Sequence, residues 1–217
     1  FQTFLIVIIV PVFCALCISL FHRFIFAKEF FSIFSSLVVV FFNFSLVLFF
    51  LEGRSFNVEL IEVFPNVGLS FHIEPLGLVF SSIASLLWFV NSIYSIGYLR
   101  GNSEQNQTRF YAYVSLSIFA AIGIAFSSNL FTFFLFYELL TFLTYPLVTH
   151  NGSSTAKQGG KIYLGILLFT SICFLLLAIC ITYSFAGTLD FSKGGILPNE
   201  LSDTEITILL LIFCFGV

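Results

Sequence analysis

The stretch Leu130-Phe-Thr-Phe-Phe-Leu-Phe-Tyr-Glu138-Leu-Leu-Thr-Phe-Leu-Thr-Tyr-Pro-Leu-Val-Thr149 is apolar apart from hydroxyls and one carboxyl, Glu138. As a helix rising 1.5 Å per residue it extends about 30 Å, the thickness of a bilayer's hydrocarbon core. That makes it a membrane span and puts Glu138 about 12 Å below the surface at which the helix enters. A charge at that depth costs roughly 2.5–3.5 kcal/mol on insertion scales. So expensive a residue is a candidate for handling protons or ions. The plain alternative is a structural carboxyl satisfied by its neighbours.

The rest of the chain shares this solvent. Of its 217 residues 59% are hydrophobic and only 9% are charged, with a mean hydropathy of +1.09. Soluble domains carry roughly 25% charged residues, so this chain cannot hide its apolar surface from water and must use lipid as its boundary. The 33 phenylalanines read as compositional bias. A net charge of −3 without any basic run argues against nucleic acid as a partner. Cys14, Cys17, Cys173, Cys180 and Cys214 all fall in apolar segments. Cys14-Ala-Leu-Cys17 has no second ligand pair, so no metal or redox site is expected.

Six spans are expected at about residues 2–20, 30–51, 76–99, 110–126, 130–149 and 162–186, with a seventh starting near Ile206. The expected fold is an all-α, polytopic membrane helix bundle, a single transmembrane domain over residues 1–217. The seventh segment stops at Val217, too short to cross, and the chain has no methionine. It therefore reads as the N-terminal part of a longer protein. The first segment lacks a basic start and an A-x-A site, which argues against a signal peptide. Two connections should stand outside the membrane. Residues 52–75 alternate loosely and contain Pro65-Asn66 and Gly68, which predicts a hairpin. Residues 187–205, with Gly194-Gly195 and Pro198, predict a loop with little regular structure.

Charge orients the bundle. The connections after spans one, three and five hold Arg23, Lys28, Arg100, Arg109, Lys157 and Lys161; the others hold Glu52, Glu59, Glu62, Glu74, Asp190, Glu200, Asp203 and Glu205. Lysine and arginine mark the inner side, so the N-terminus should be outside. At 100° per residue Thr141, Tyr145 and Thr149 lie on the Glu138 face and run toward the inner side. Their hydroxyls could carry water to the carboxyl, and Pro146 frees a backbone carbonyl nearby; equally, they could only tie helix to helix. His150 ends the stripe as a proton relay or an interface anchor. His72-Ile-Glu74 reads as loop polarity rather than a metal pair. The sequons at Asn43, Asn106 and Asn151 fall within the membrane or inside. No nucleotide-binding or hydrolase motif is present, and no flavin, haem or iron–sulfur site is expected, so the cofactor expectation is none.

Several stretches resemble the antiporter-like membrane subunits shared by respiratory complex I and the Mrp-type cation/proton antiporters. These are His72-Ile-Glu-Pro-Leu-Gly77, Tyr94-Ser-Ile-Gly-Tyr-Leu-Arg100 and Asn129-Leu-Phe-Thr-Phe-Phe-Leu-Phe-Tyr-Glu138. Tyr145-Pro-Leu-Val-Thr-His150 and Lys161-Ile-Tyr-Leu-Gly165 are most similar to the D-type branch on the antiporter side. The resemblance runs from about Phe71 to Val217. It implies a subunit of about fourteen helices with two inverted repeats, of which this chain would hold the opening helices. It also implies that Glu138 is an intramembrane proton carrier, paired with a lysine on a broken seventh helix just after Phe213-Cys-Phe-Gly-Val217. No lysine is expected inside the spans in hand. The implied protein is a non-redox, proton-pumping subunit of a translocase such as NADH:quinone oxidoreductase, or of a cation/proton antiporter. Its partners would be other membrane subunits, lipid, and protons or Na+; its home would be a bacterial or mitochondrial inner membrane. The alternatives are a non-transporting scaffold subunit and a membrane partner of a proton-driven bicarbonate uptake system.

Overall fold

The computed structural model describes residues 2–64, 67–198 and 201–217. The expected turn at Pro65-Asn66, and Glu200, lie outside the described residues. Helices α1 (Gln2–Leu20), α2 (Ile25–Leu51), α3 (Pro75–Gly101), α4 (Gln107–Ala125) and α5 (Leu130–Val148) are each long and apolar enough to cross a membrane. A π-helical turn (Ser171–Leu175) joins α6 (Ser154–Thr170) to α7 (Leu176–Ala186), making a sixth such rod. A further helix, α8 (Asp203–Gly216), starts at a capping box in which the Ser202 hydroxyl and Glu205 carboxylate each take the other's backbone N–H. This is the all-α polytopic membrane bundle that composition predicts.

Helix starts differ from the sequence reading. α2 begins at Ile25 rather than near residue 30, and α6 at Ser154 rather than 162. Apolarity marks where a helix enters hydrocarbon, not where it begins. The Ser153 hydroxyl accepts from Ala156 N at 3.1 Å and so starts α6 two turns before its apolar run. In α2 the shift corrects the assignment of Lys28 to a connection. Lys28 and Glu29 lie about one turn inside the helix, and both are buried. Glu29 accepts two guanidinium bonds from Arg100 of α3, one from Nε at 2.7 Å. Lys28 Nζ donates to Thr108 Oγ1 of α4 at 3.1 Å. A lysine therefore does sit within a spanning helix, at the end nearest the basic turns.

Lipid tails give helices no gain from burying apolar side chains against one another, so close packing and polar contacts must hold the bundle. Between α2 and α3, Ser32 Oγ donates to Ser92 Oγ at 3.1 Å, and Asn43 joins Ser81 and Ser85 at 3.2 and 3.4 Å. Meanwhile Phe13, Phe41 and Phe44 face outward, each more than half exposed. The apolar core includes Val7, Ile18, Ala120 and Ile122, contributed by α1 and α4. Gly77 lets the start of α3 rest on the Ala125 carbonyl, where any Cβ would collide.

The π turn changes which way the sixth rod faces. In an unbroken α-helix Gly160 and Ala178 would share a face, being about five turns apart. The wider turn offsets them, so the first half packs on α5 and the second on α8. Gly216 of α8 lies against the backbone of Leu175 within that turn, again where a Cβ would collide.

At the opposite end from the basic turns, β1 (Asn57–Phe64) pairs antiparallel with β2 (Val67–His72). The chain between α4 and α5 adds to β2: His72 N donates to Phe126 O at 2.8 Å and Ser128 N to Ser70 O at 3.1 Å. Residues 189–191 add beyond it, with Leu130 N to Leu189 O and Phe191 N to Ser128 O, both 3.0 Å. Part of the connection expected to be irregular is thus bonded to its neighbours, and residues 203–205 are the first turn of α8.

Replacing Glu29 by alanine leaves the Arg100 fork without its carboxylate beside a buried Lys28. Loss of those charged bonds should lower stability, measured as a fall in the unfolding midpoint in mild detergent.

Candidate functional site

The site is built along α5, and its first element is the cap. Asn129 Oδ1 accepts from Thr132 N at 2.7 Å, while its Nδ2 donates to Gly68 O at 2.8 Å and Ser70 Oγ at 2.7 Å. Thr132 Oγ1 donates to Gly68 O at 3.3 Å and accepts from Ser70 N at 3.0 Å. Both residues are almost wholly buried. One N-cap thus satisfies α5 and fastens it to the hairpin, fixing the height and rotation of everything below. The sequence signal for this, an asparagine before an apolar run with a threonine three residues on, reveals the cap but not its second partner.

Two turns further along stands Glu138, half-buried. Its Oε1 is shielded from solvent and has no hydrogen-bond partner, and among the described residues no cation pairs with it. The preceding residue connects to another helix: Tyr137 OH donates to Val217 O, beyond the last turn of α8, at 3.2 Å. The middle of α5, the end of α8 and the π turn therefore converge. The π turn has no signal in the sequence, because it differs from an α-helix only by one residue of spacing.

The hydroxyl stripe is partly spent on its own helix. Thr141 donates to Tyr137 O at 3.2 Å and Thr149 to Tyr145 O at 3.1 Å. Each hydroxyl has a single hydrogen, so in this arrangement these threonines can accept from water but not donate to it. Pro146 has no N–H, which leaves the Phe142 carbonyl without an i+4 donor. Arg109 closes the helix, its Nη2 donating to Pro146 O and Thr149 O at 3.1 and 3.3 Å. A cation there also suits the negative end of the helix dipole.

Tyr145, Thr149 and His150 reach a cavity of about 800 Å³ between the α3–α4 and α5–α6 turns, which Arg109, Lys157, Lys161 and Glu104 also line. Glu138 and Thr141 do not line it. Seven residues, about 10 Å of helix, separate Glu138 from Tyr145. The His150 ring packs edge-on to Phe110, centroids 5.4 Å apart, and neither ring nitrogen has a partner. Burial pushes its pKa below the usual 6.5, and the nearby Arg109 charge adds to this against the pull of Glu104. His150 is therefore neutral near pH 7. At the other end of the bundle, His72 and Glu74 flank the start of α3, and among the described residues no cluster of His, Cys, Asp or Glu could hold a metal.

Residues 127–217, from the α5 cap through Glu138 to α8, match the family described as NADH:quinone oxidoreductase/Mrp antiporter, TM. The chain is similar to subunits of such complexes. It is 26% identical to NADH-quinone oxidoreductase subunit N of Desulforudis audaxviator, covering 69% of this chain and 29% of that one. It is 28% identical to putative antiporter subunit mnhA2 of Staphylococcus haemolyticus, covering 68% of this chain and 18% of the relative. To mnhD2 of the same organism it is 25% identical, over 77% and 33%. An archaeal respiratory membrane complex, the membrane-bound sulfane sulfur reductase, contains a chain with the same fold: TM-score 0.83 at 17% identity, over all of this chain and 44% of that one. The chain thus spans a third or less of the length of these curated relatives.

Removing the α5 clamp by Asn129→Ala should cost about 2–3 kcal/mol, one cap plus two buried bonds, measured by unfolding in detergent. The His150 ring should titrate below 6.5, read from its ring carbon and nitrogen shifts against pH, and Arg109→Gln should move the midpoint upward. Since the folded state holds this proton less well than the unfolded chain, His150 favours folding above its ordinary pKa and ceases to do so as pH falls.

Proposed function

We propose that the chain is part of a proton-translocating, antiporter-like membrane subunit of an NADH-quinone oxidoreductase-type or cation/proton antiporter complex, with Glu138 as the proton carrier. The observation that carries this reading is the unpartnered, shielded Oε1 of Glu138 in the middle of a span. A buried acceptor left unpaired is costly. A site that takes up and releases a proton needs an oxygen free to receive it. The relatives named above supply the class of complex.

In this reading protons exchange between Glu138 and the basic end of the bundle along the face of Thr141, Tyr145 and Thr149, with His150 at the mouth. Water must fill the stretch between Glu138 and Tyr145, accepted by hydroxyls whose hydrogens stay on the helix. Whether the carboxyl keeps its proton depends on the charge beside it. The resemblance implies a lysine just beyond Val217, and the Tyr137–Val217 bond brings that end of α8 to the turn of α5 that carries Glu138. Carboxylate and lysine would then titrate as one unit, so that moving the lysine's charge loads or unloads Glu138. The driving force comes from elsewhere in the complex, either a redox module or a cation gradient.

The own-helix bonds of Thr141 and Thr149 favour the scaffold reading, in which the stripe only packs. One variant separates the two. Glu138→Gln should leave the complex assembled and abolish coupled proton movement in sealed vesicles. Full pumping in that variant sinks the carrier role, and loss of assembly with pumping retained per assembled complex points to the scaffold.

A further inference from the structure

We propose that the cavity at the basic end of the bundle binds the phosphate of an anionic membrane phospholipid. Three cations and one carboxylate line it, Arg109, Lys157 and Lys161 against Glu104, which leaves two positive charges uncompensated. Lys157 and Lys161 stand one turn apart on α6, both exposed, and neither side chain makes a hydrogen bond or ion pair among the described residues. Facing them, Arg109 uses Nη2 on two backbone carbonyls, and its remaining N–H groups are free for an anion. A concave site between low-dielectric helices focuses such a field, and about 800 Å³ accommodates a phosphate with its glycerol.

The surroundings choose lipid over a soluble anion. Lys161 is followed directly by Ile162, and Ile166 and Phe169 continue along the same rod, 58%, 57% and 61% exposed. Lysines therefore sit where the polar start of α6 meets its lipid-facing surface, at headgroup depth, with an apolar track for the acyl chains. Basic pockets of this kind between spanning helices suit anionic headgroups, and each lysine near the surface contributes appreciably. Tyr145, Thr149 and His150 share this cavity, but Lys157 and Lys161 have no part in the proposed proton route, so variants of the two lysines test binding separately from the carrier role.

The test uses the protein in its assembled complex, purified in mild detergent and offered equal amounts of phosphatidylglycerol and phosphatidylcholine, with bound lipid counted by native mass spectrometry. Phosphatidylglycerol should be retained in preference. Lys157→Gln/Lys161→Gln should weaken that retention about thirtyfold, while Arg54→Gln/Lys193→Gln at the opposite end should not change it. Excess inorganic phosphate should displace no more lipid than chloride at equal ionic strength. Equal retention of both lipids by the unaltered protein, or a lysine variant that keeps the preference, overturns the proposal. Displacement by inorganic phosphate alone overturns it too, in favour of a soluble-anion site. Neither lysine has a structural bond to lose, so folding does not confuse the result.

Discussion

The constraint on which the rest depends is that hydrocarbon solvates apolar side chains as well as the interior of the bundle does. Helices gain little by hiding phenylalanine, while every polar group they carry must find a partner inside. Serines of α2 and α3 accordingly meet between the helices while rings such as Phe41 and Phe44 point out, although Trp88 of α3 is buried in the core. Buried charge follows the same rule. Glu29 is held by the Arg100 fork and Lys28 by Thr108, so these groups are costly but settled. Against that background Glu138 Oε1 is one of several shielded polar atoms without a partner, with Trp88 Nε1, Tyr111 OH and the His150 ring nitrogens, and it is the carboxylate among them.

Helix α5 is also fixed at both ends by groups outside its own sequence. The hairpin takes its cap and Arg109 of α4 takes its last carbonyls. Between these anchors, rotation of Glu138 about the helix axis would break bonds at one end or the other. The carboxyl is thus positioned by polar contacts at the two membrane surfaces as well as by the packing of α5 on α4 through Phe136 and Leu140.

Much of the fold could be read directly. Apolar runs of sufficient length located all six spans, because hydrophobic length is the physical requirement for crossing. Helix starts were less legible, since α2 and α6 extend through polar residues that partners or caps satisfy. That is why Lys28 looked like a loop residue: a charge in sequence gives no sign that another helix will meet it. Glu138 stood out because its cost depends only on depth. Its setting did not, because the Asn129 clamp, the Arg109 cap and the cavity each require residues tens of positions apart to come together.

The π turn between α6 and α7 has a consequence for how such chains can vary. Removing one residue from Ser171–Leu175 would turn the rod into a plain α-helix, swing Ala178 and Thr182 round by about 100°, and part Leu175 from Gly216. The two halves match their separate neighbours at one chain length only. An insertion or deletion within this span would therefore cost one half its packing, whereas a surface loop can absorb one. Any comparison of relatives that slips by a single position across it would pair lipid-facing residues with packed ones.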